Sequence, residues 1–384
     1  MKGGLFEKLE GRRVVCCVGS GGVGKTTTAA AIAVQAAMEG KRVLVLTIDP
    51  ARRLANSLGL ESLGNRETPI ALAQFKAAGL SPKGEMHAMM LDLKLTWDEL
   101  VAKNAPNPER LKTILDNRIY QTLSTAMAGS LEYMAMEKVY EASSSGRYDL
   151  VVLDTPPTSN ALDFLHAADK ILDLLENDAA RLVLGPMLTA GRIGLKLFNL
   201  GSSFVLKTLA RFTGGDFLKD LAGFMVAFEG MYDGFKERAG KVKALLASKD
   251  AAFILVTSPN PQVIEEALFF HRTLAENGIQ TAAVVVNRFE RDPRRYGGAE
   301  SEPAIREALQ LAGLKDTGTP ALSARLSQTL NEQASLADLD RRQVERLRHT
   351  LGAVELRCVP RLRRDVHDLA GLWQIDGYLG GEED

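Results

Sequence analysis

The chain has 384 residues, 46% of them hydrophobic and 25% charged, and its formal net charge is −1. This balance gives no basic face for nucleic acid, and no apolar run is long enough to span a membrane, so neither nucleic acid nor stable membrane insertion is expected. The three cysteines form no even disulfide set. Cys16 and Cys17 are neighbours in an apolar run, which favours reduced core thiols and a cytoplasmic protein.

The first predicted strand, Val14–Val18, runs into a glycine-rich loop, and a helix is predicted over residues 25–39. Residues 19–26 match the phosphate-binding pattern G-x-x-x-x-G-K-[ST] at every fixed position. Glycines let backbone N–H groups turn around an anion, and the helix points its positive end at the same place. The pattern predicts that Lys25 reaches the β and γ phosphates and that the Thr26 hydroxyl binds Mg²⁺. A glycine turn without a ligand is the alternative, and the flanking strand and helix disfavour it.

A second strand is predicted over residues 41–48, and Asp49 follows it directly. Ligands of open α/β sheets bind at the carboxyl ends of the strands. A carboxylate there, one strand after a phosphate loop, is a candidate to orient or deprotonate the attacking water. The alternative is a helix N-cap before Pro50, and the two roles are compatible.

Two more strands are predicted over residues 86–92 and 148–153, and Asp154 directly follows the second. An acid after a hydrophobic strand is what a Walker-B-type site requires, because such a carboxylate holds Mg²⁺, usually through water. The isolated pattern is weak, but together with a complete phosphate loop it predicts a magnesium site at Thr26 and Asp154.

Helical patterns separate these strands. Thr96 and Glu99 form a capping box that predicts the start of a helix, residues 110–142 are mostly helical, and residues 160–249 contain no strand pattern. Within the last block, apolar side chains recur at spacings of three and four, which predicts either the core of a helical subdomain or a surface for an apolar helix of another protein. This apolar stripe consists of Phe217, Leu221, Phe224, Phe228, Met231 and Phe235.

Further strands are predicted over residues 252–257, 281–287 and 354–359, with helices between them and a last helix over residues 365–374. Buried strands that alternate with helices predict an α/β fold: a doubly wound, mostly parallel sheet of the P-loop NTPase type. We expect a single domain over residues 1–384. Its helical insertions, about 96–146 and 160–250, would form a helical subdomain, for which the family resemblance described next implies client binding.

The loop, the Asp49-Pro50-Ala51 segment, the segment from Asp154 to Thr158 and Asn287 after its strand together resemble one family. It is the family of arsenite-pump (ArsA) and tail-anchored-protein-targeting ATPases, a deviant Walker A branch of P-loop proteins. The resemblance extends over about residues 12–372. It implies an ATPase that uses ATP and Mg²⁺, with Lys25 and Asp49 as catalytic residues.

The resemblance also implies the remaining site. Asn287 would meet the base, with the backbone near Pro360 beside it, and Asp154 would open a second switch segment. The phosphates would be held by Gly21, Gly22, Val23, Gly24, Lys25, Thr26 and Thr27. Family members act as face-to-face dimers that close on ATP, and their helical insertions form a groove for an apolar protein segment. A targeting factor or chaperone is therefore expected.

The sequence departs from the family pattern at the loop. The signature lysine, which crosses the dimer toward the partner's phosphates, is replaced by Ser20. We therefore expect slow turnover by a homodimer, unless Arg52 or Arg53 substitutes, or a heterodimer with a paralogue that carries the lysine. The chain also lacks a C-x-x-C motif and a cysteine cluster in the insertion, so a bridging zinc ion and an arsenite site are not expected.

Two other functions remain open. A positioning or partition ATPase typically ends in a basic amphipathic helix, whereas this chain ends with three acidic residues. A GTP-using switch is suggested by residues 287–290, which resemble the guanine-reading N-K-x-D pattern. Arg288 and Glu290 depart from that pattern, and this favours ATP.

Overall fold

A computed structural model describes residues 4–49, 52–126, 130–156, 220, 224, 232–296, 302–313 and 319–381. Within these ranges eight strands form one sheet in the order β3-β4-β2-β5-β1-β6-β7-β8, and all neighbouring pairs are parallel except β3 with β4. The strands are β1 (Val14–Val18), β2 (Arg42–Thr47), β3 (Thr68–Pro69), β4 (Glu85–Met90), β5 (Leu150–Asp154), β6 (Ala251–Thr257), β7 (Thr281–Phe289) and β8 (Glu355–Pro360).

The centre of the sheet consists of strands that are buried from end to end. β1 lies between β5 and β6, with Val14 opposite both Val151 and Ala251. Because successive side chains of a strand point to opposite faces, Cys16 and Cys17 belong to two different hydrophobic clusters, one on each side of the sheet. Near-continuous runs of valine and leucine are typical of such doubly covered parallel strands. The predicted fold class is confirmed.

Helices cover both faces of this sheet. In chain order, the described helices are α1 (Leu5–Lys8), α2 (Lys25–Met38), α3 (Arg53–Ser57), α4 (Leu72–Ala77), α5 (Leu93–Asn104), α6 (Pro108–Leu115), α7 (Arg118–Ala126), α8 (Ser130–Ser144), α9 (Tyr232–Leu246), α10 (Pro261–Glu276), α11 (Glu302–Leu311), α12 (Thr319–Leu351) and α13 (Leu369–Gly380). α2 and α13 pack together on one face. α5, α8, α9 and α10 contribute to the cluster on the other face.

The first helix after β4 begins earlier than predicted. α5 begins at Leu93 because Asp92, not Thr96, is its N-cap: the Asp92 carboxylate accepts a hydrogen bond from the Leu95 N–H at 2.8 Å. Thr96 lies inside the helix and donates its hydroxyl to the Asp92 carbonyl at 2.7 Å. A side chain that bonds back to the preceding turn cannot also cap, so the predicted capping box was wrong.

α9 packs against the helices that precede β5. Trp97 stacks on Phe235, with ring centroids 6.1 Å apart, and Arg238 forms an ion pair with the buried Glu137 of α8. Most of the predicted apolar stripe lies outside the described residues. Its described members, Phe224 and Phe235, are both buried in the hydrophobic cluster on the sheet face that α5, α8, α9 and α10 cover. The proposed client-binding role of these helices is not tested by their packing.

The C-terminal part returns to the sheet. The last helix begins at Leu369, later than predicted, because the Asp368 side chain caps it through the Gly371 N–H at 2.8 Å. Ahead of it, Asp292 forms ion pairs with Arg294 and with Arg341, which ties the segment after β7 to α12. No helix in the described ranges is long and apolar enough to cross a membrane.

Candidate functional site

The phosphate loop connects β1 to α2 at the carboxyl edge of the sheet. A Cβ on Gly19 (φ 147°) would lie 2.1 Å from the Val256 carbonyl oxygen, and a Cβ on Gly24 (φ 102°) would lie 2.0 Å from Asn287 Nδ2. Glycine is therefore required at both ends of the loop, by conformation and by close approach. The ends of β6 and β7 thus hold the backbone in a narrow turn at the start of α2.

Lys25 is the first residue of α2, and its side chain folds back over the loop. Its ammonium group donates to the Ser20 carbonyl oxygen at 2.8 Å, and the residue is only 6% exposed. Burial lowers the pKa of Lys25, the carboxylates of Asp154 and Asp49 raise it, and the Arg53 guanidinium lowers it further. A charged group held over backbone N–H groups in this way is suited to an anionic ligand.

Asp154, the last residue of β5, is fully buried next to the loop. Its Oδ2 accepts hydrogen bonds from the hydroxyls of Thr26 and Thr47, each at 2.8 Å. Its Oδ1 is buried and has no hydrogen-bond partner among the described residues. Burial raises the pKa of Asp154 to about 6, although the two hydroxyls and Lys25 lower it. An unpaired carboxylate oxygen beside a hydroxyl is the oxygen-rich donor set that Mg²⁺ prefers, so these residues fit the ion.

Asp49 lies next to this carboxylate and is connected to it through Thr47. The Asp49 N–H donates to the Thr47 hydroxyl oxygen at 3.2 Å. The Asp49 carboxylate forms an ion pair with Arg53, whose Nη1 lies 3.0 Å from Oδ2. A continuous polar path therefore extends from Thr26 through Asp154 and Thr47 to Asp49. Thr26 lies at the start of α2, Asp154 and Thr47 are the last residues of β5 and β2, and Asp49 follows β2.

Asn287 and Pro360 lie at the ends of neighbouring strands. Asn287 Nδ2 donates to the Val23 carbonyl oxygen at 2.8 Å, so its amide supports the phosphate loop directly. The next residue, Arg288, has φ 60°, and the pairing of β7 with β8 shifts register there. Pro360 is paired with Phe289 across this shift. The structure thus assigns Asn287 a contact that the sequence analysis missed, and base binding stays a prediction.

Ser20, at the position of the missing lysine, donates its hydroxyl to the Glu266 carboxylate of α10. This part of the loop therefore has a neighbouring acid. Of the other predicted loop residues, Val23 is buried, Gly21 and Gly22 are exposed, and Thr27 is half-buried in the first turn of α2. The structure brings the loop, Asp49 and Asp154 together, and their roles stay predictions.

Two threonines in the site were missed by the sequence analysis. Thr47 is paired with Asp154 across β2 and β5, and Thr155 donates its hydroxyl to the Cys17 carbonyl oxygen at 2.9 Å. A polar residue at the end of an otherwise apolar strand was the available signal for Thr47. It could not be interpreted without the strand order, which places β2 beside β5.

The predicted guanine-reading acid is already paired. Glu290 Oε1 lies 2.9 Å from Arg361 Nη1, and the Glu290 N–H donates to the Asp340 carboxylate at 2.8 Å. Arg361, which follows β8, thus binds the segment after β7. This arrangement occupies the carboxylate that a guanine base would need.

Comparisons with known proteins agree with this geometry. The family model of anion-transporting ATPases matches residues 12–296. The chain is 25% identical to an ATPase get3 of Aspergillus terreus over 70% of this chain and 71% of the relative. It is 26% identical to the ATPase GET3C of Arabidopsis thaliana over 80% of this chain and 77% of the relative. A putative arsenical pump-driving ATPase of Prosthecochloris vibrioformis is 32% identical over 41% of this chain and 36% of the relative.

Proposed function

The chain belongs to the family of anion-transporting (ArsA) ATPases, and on this premise we propose that it is a Mg²⁺-dependent ATP switch that binds and releases an apolar protein segment. The observation that carries the proposal is the hydrogen-bonded path from Thr26 through Asp154 and Thr47 to Asp49. A change in the contacts made to the phosphates can be transmitted along this path to the segment after β2. Coupling of this kind drives order and rigid-body switches in other nucleotide-binding proteins.

The chain's own residues have separate roles in hydrolysis. The N–H groups of the loop and the Lys25 ammonium group bind the β and γ phosphates. Asp49 orients a water molecule, whose oxygen bonds to the γ phosphorus while the bond to the β–γ bridging oxygen breaks. ADP keeps the electron pair of the broken bond, and the proton of the water passes to Asp49 and then to solvent. The products are ADP and inorganic phosphate.

Thr26 and Asp154 would hold the magnesium ion, which supplies charge neutralisation at the β and γ phosphates. The unpaired Oδ1 of Asp154 supports this assignment. A carboxylate whose pKa is raised to about 6 gains from a nearby cation, because the cation favours its charged form. Asn287 and the backbone near Pro360 would contact the base, since Asn287 contacts the loop and Pro360 is paired with Phe289 on the same strand.

We propose a dimer in which the two predicted insertions, about 96–146 and 160–250, form the client groove, as family resemblance implies. The partner is a second copy of this chain, if a cation of this chain replaces the lysine missing at Ser20, or a paralogue that carries the signature lysine. In the second case, mixing the paralogue with this chain should raise turnover above the sum of the separate proteins. A cytoplasmic location fits Cys16 and Cys17, whose thiols are buried and have raised pKa values.

One relative is named a putative arsenical pump-driving ATPase, but we do not propose that role for this chain. A pump for a soft anion would need thiolate ligands, and the insertion has no cysteine cluster. A GTP-using switch is the second candidate, and the Glu290–Arg361 ion pair disfavours it. A positioning ATPase of the partition class is the third.

Ligand competition and light scattering test the proposal together. ATP with Mg²⁺ should displace a fluorescent nucleotide at lower concentration than GTP, and should change the mass or shape of the assembly. A fluorescent apolar helical peptide should bind in one nucleotide state and dissociate in the other. Preferential displacement by GTP would support the second candidate. Nucleotide binding without any effect on peptide or assembly would contradict the switch.

A further inference from the structure

We propose that Arg53 is a catalytic residue that supplies, within one subunit, the positive charge missing at Ser20. In this proposal, which rests on the proposed ATPase function, its guanidinium leaves Asp49 when ATP binds and contacts the γ-phosphoryl oxygens. The same movement frees the Asp49 carboxylate to orient water.

The position of Arg53 supports this role. Its Nη1 lies 3.0 Å from Asp49 Oδ2, and the arginine side chain is 57% exposed whereas the Asp49 side chain is 13% exposed. The guanidinium therefore covers the carboxylate from the solvent side. An ion pair with an exposed partner contributes little stability, so exchanging it for a phosphate group costs little. A triphosphate carries more charge than a carboxylate and accepts bidentate bonds from arginine.

Polar contacts connect Arg53 to the phosphate loop. Arg53 pairs with Asp49, which is the last member of the hydrogen-bonded path that begins at Thr26. The Ser20 side chain, by contrast, carries no charge and donates its hydroxyl to the Glu266 carboxylate.

Arg52 is less suited to this role. It is exposed, and it forms no ion pair among the residues that the structure describes. Its φ of 55° places it in the left-handed region at the N-cap of α3. Non-glycine residues in that region are characteristic of functional segments whose surroundings hold them there. Arg52 therefore marks a turn, and Arg53 carries the contact with Asp49.

The proposal predicts that Arg53 distinguishes ATP from ADP. The Asp49→Asn variant, in which we expect no hydrolysis, allows both nucleotides to be titrated by calorimetry with Mg²⁺. Adding Arg53→Ala should weaken ATP binding about tenfold relative to ADP, the effect of losing one charge-assisted hydrogen bond. Arg53→Lys should restore part of the preference, since it keeps the charge. Arg66→Ala removes an exposed arginine without an ion pair among the described residues and should leave the ratio unchanged.

With Asp49 intact, Arg53→Ala should lower kcat about a hundredfold with little change in the affinity for ADP. An unchanged ATP-to-ADP ratio would overturn the proposal, as would a loss confined to Arg52→Ala. A rise in kcat would also overturn it, because Arg53 would then only restrain Asp49. If the unaltered chain binds neither nucleotide, the proposed function fails together with this inference. If it binds and hydrolyses ATP but Arg53→Ala has no effect, this inference alone fails.

Discussion

The side-chain amide of Asn287 donates to the carbonyl oxygen of Val23 at 2.8 Å, so the end of β7 supports the phosphate loop from one side. The same amide nitrogen would lie 2.0 Å from a Cβ added at Gly24. One contact thus explains both the orientation of Asn287 and the need for glycine at the end of the loop. It also connects the loop to the strand end at which base binding is proposed.

Gly24→Ala should therefore destabilise the protein more than Gly22→Ala. Both glycines have positive φ, but a Cβ at Gly22 would meet nothing within 4 Å. The alanine at 22 should cost about 1 kcal/mol of unfolding free energy from backbone strain alone. The alanine at 24 adds a clash with Asn287. Urea unfolding of the two variants measures the difference.

Combining Gly24→Ala with Asn287→Ala provides the control. The second change removes the clashing nitrogen but leaves the strain, so the double variant should be more stable than the sum of the single effects predicts. Additive effects would mean that the loop moves away from Asn287 freely, and that the contact does not hold it.

Asp154→Asn should stabilise the protein in the absence of Mg²⁺ while it abolishes stabilisation by Mg²⁺ and ATP. The carboxylate is buried, and its pKa is raised to about 6 from an ordinary value of 3.8. Its ionised form is therefore disfavoured in the folded state by about 3 kcal/mol at neutral pH. The neutral amide escapes this cost but binds Mg²⁺ poorly. Thermal unfolding with EDTA and with Mg²⁺ and ATP measures both effects.

The raised pKa of Asp154 also predicts that the stability of the protein depends on pH. Because its folded pKa lies above its unfolded pKa, the folded state holds the extra proton between pH 3.8 and about 6. In EDTA the contribution of Asp154 to stability should thus be greatest below pH 3.8 and be lost as the pH rises through about 6. The difference between the unaltered chain and Asp154→Asn should grow over this window. A constant difference would contradict the assigned pKa.

The Glu137–Arg238 ion pair should stabilise the junction of α8 and α9. The Glu137 side chain is 3% exposed and that of Arg238 26% exposed, so Arg238→Met leaves a buried carboxylate without its partner. The expected loss is about 3 kcal/mol in urea unfolding. Lys241→Met removes the exposed ion pair with Glu237 on the same helix and should cause no measurable loss. Equal effects of the two variants would contradict the role given to burial.

The sheet could be predicted because its central strands are uninterrupted apolar runs in the sequence. The runs ending at Val18, Thr47 and Thr257 are almost entirely apolar and buried, so their predicted bounds differ from the observed ones by at most one residue at either end. β3 was missed because two residues, Thr68 and Pro69, are too few to form a periodic pattern. The starts of α5 and α13 were misplaced because Asp92 and Asp368 cap them, and an aspartate carries no periodic signal.

The predicted site residues came from a local motif and from acids at strand ends, so Lys25, Thr26 and Asp154 could be named without knowing the fold. Contacts that depend on strand order could not be named. Asn287 reaches Val23 because β7 lies near the loop, and neither a spacing nor a composition specifies such a contact. The ion pair of Arg53 with Asp49 is local, and the spacing of four residues was an available signal for it.

The most direct test of the central claim is steady-state ATP turnover with Mg²⁺ by the unaltered chain and by Asp49→Asn, with nucleotide binding and assembly mass measured in parallel. We predict Mg²⁺-dependent turnover by the unaltered chain and none by the variant, which should still bind ATP and assemble as the unaltered chain does. Equal turnover in the two proteins, or no Mg²⁺-dependent ATP binding by the unaltered chain, would contradict the account.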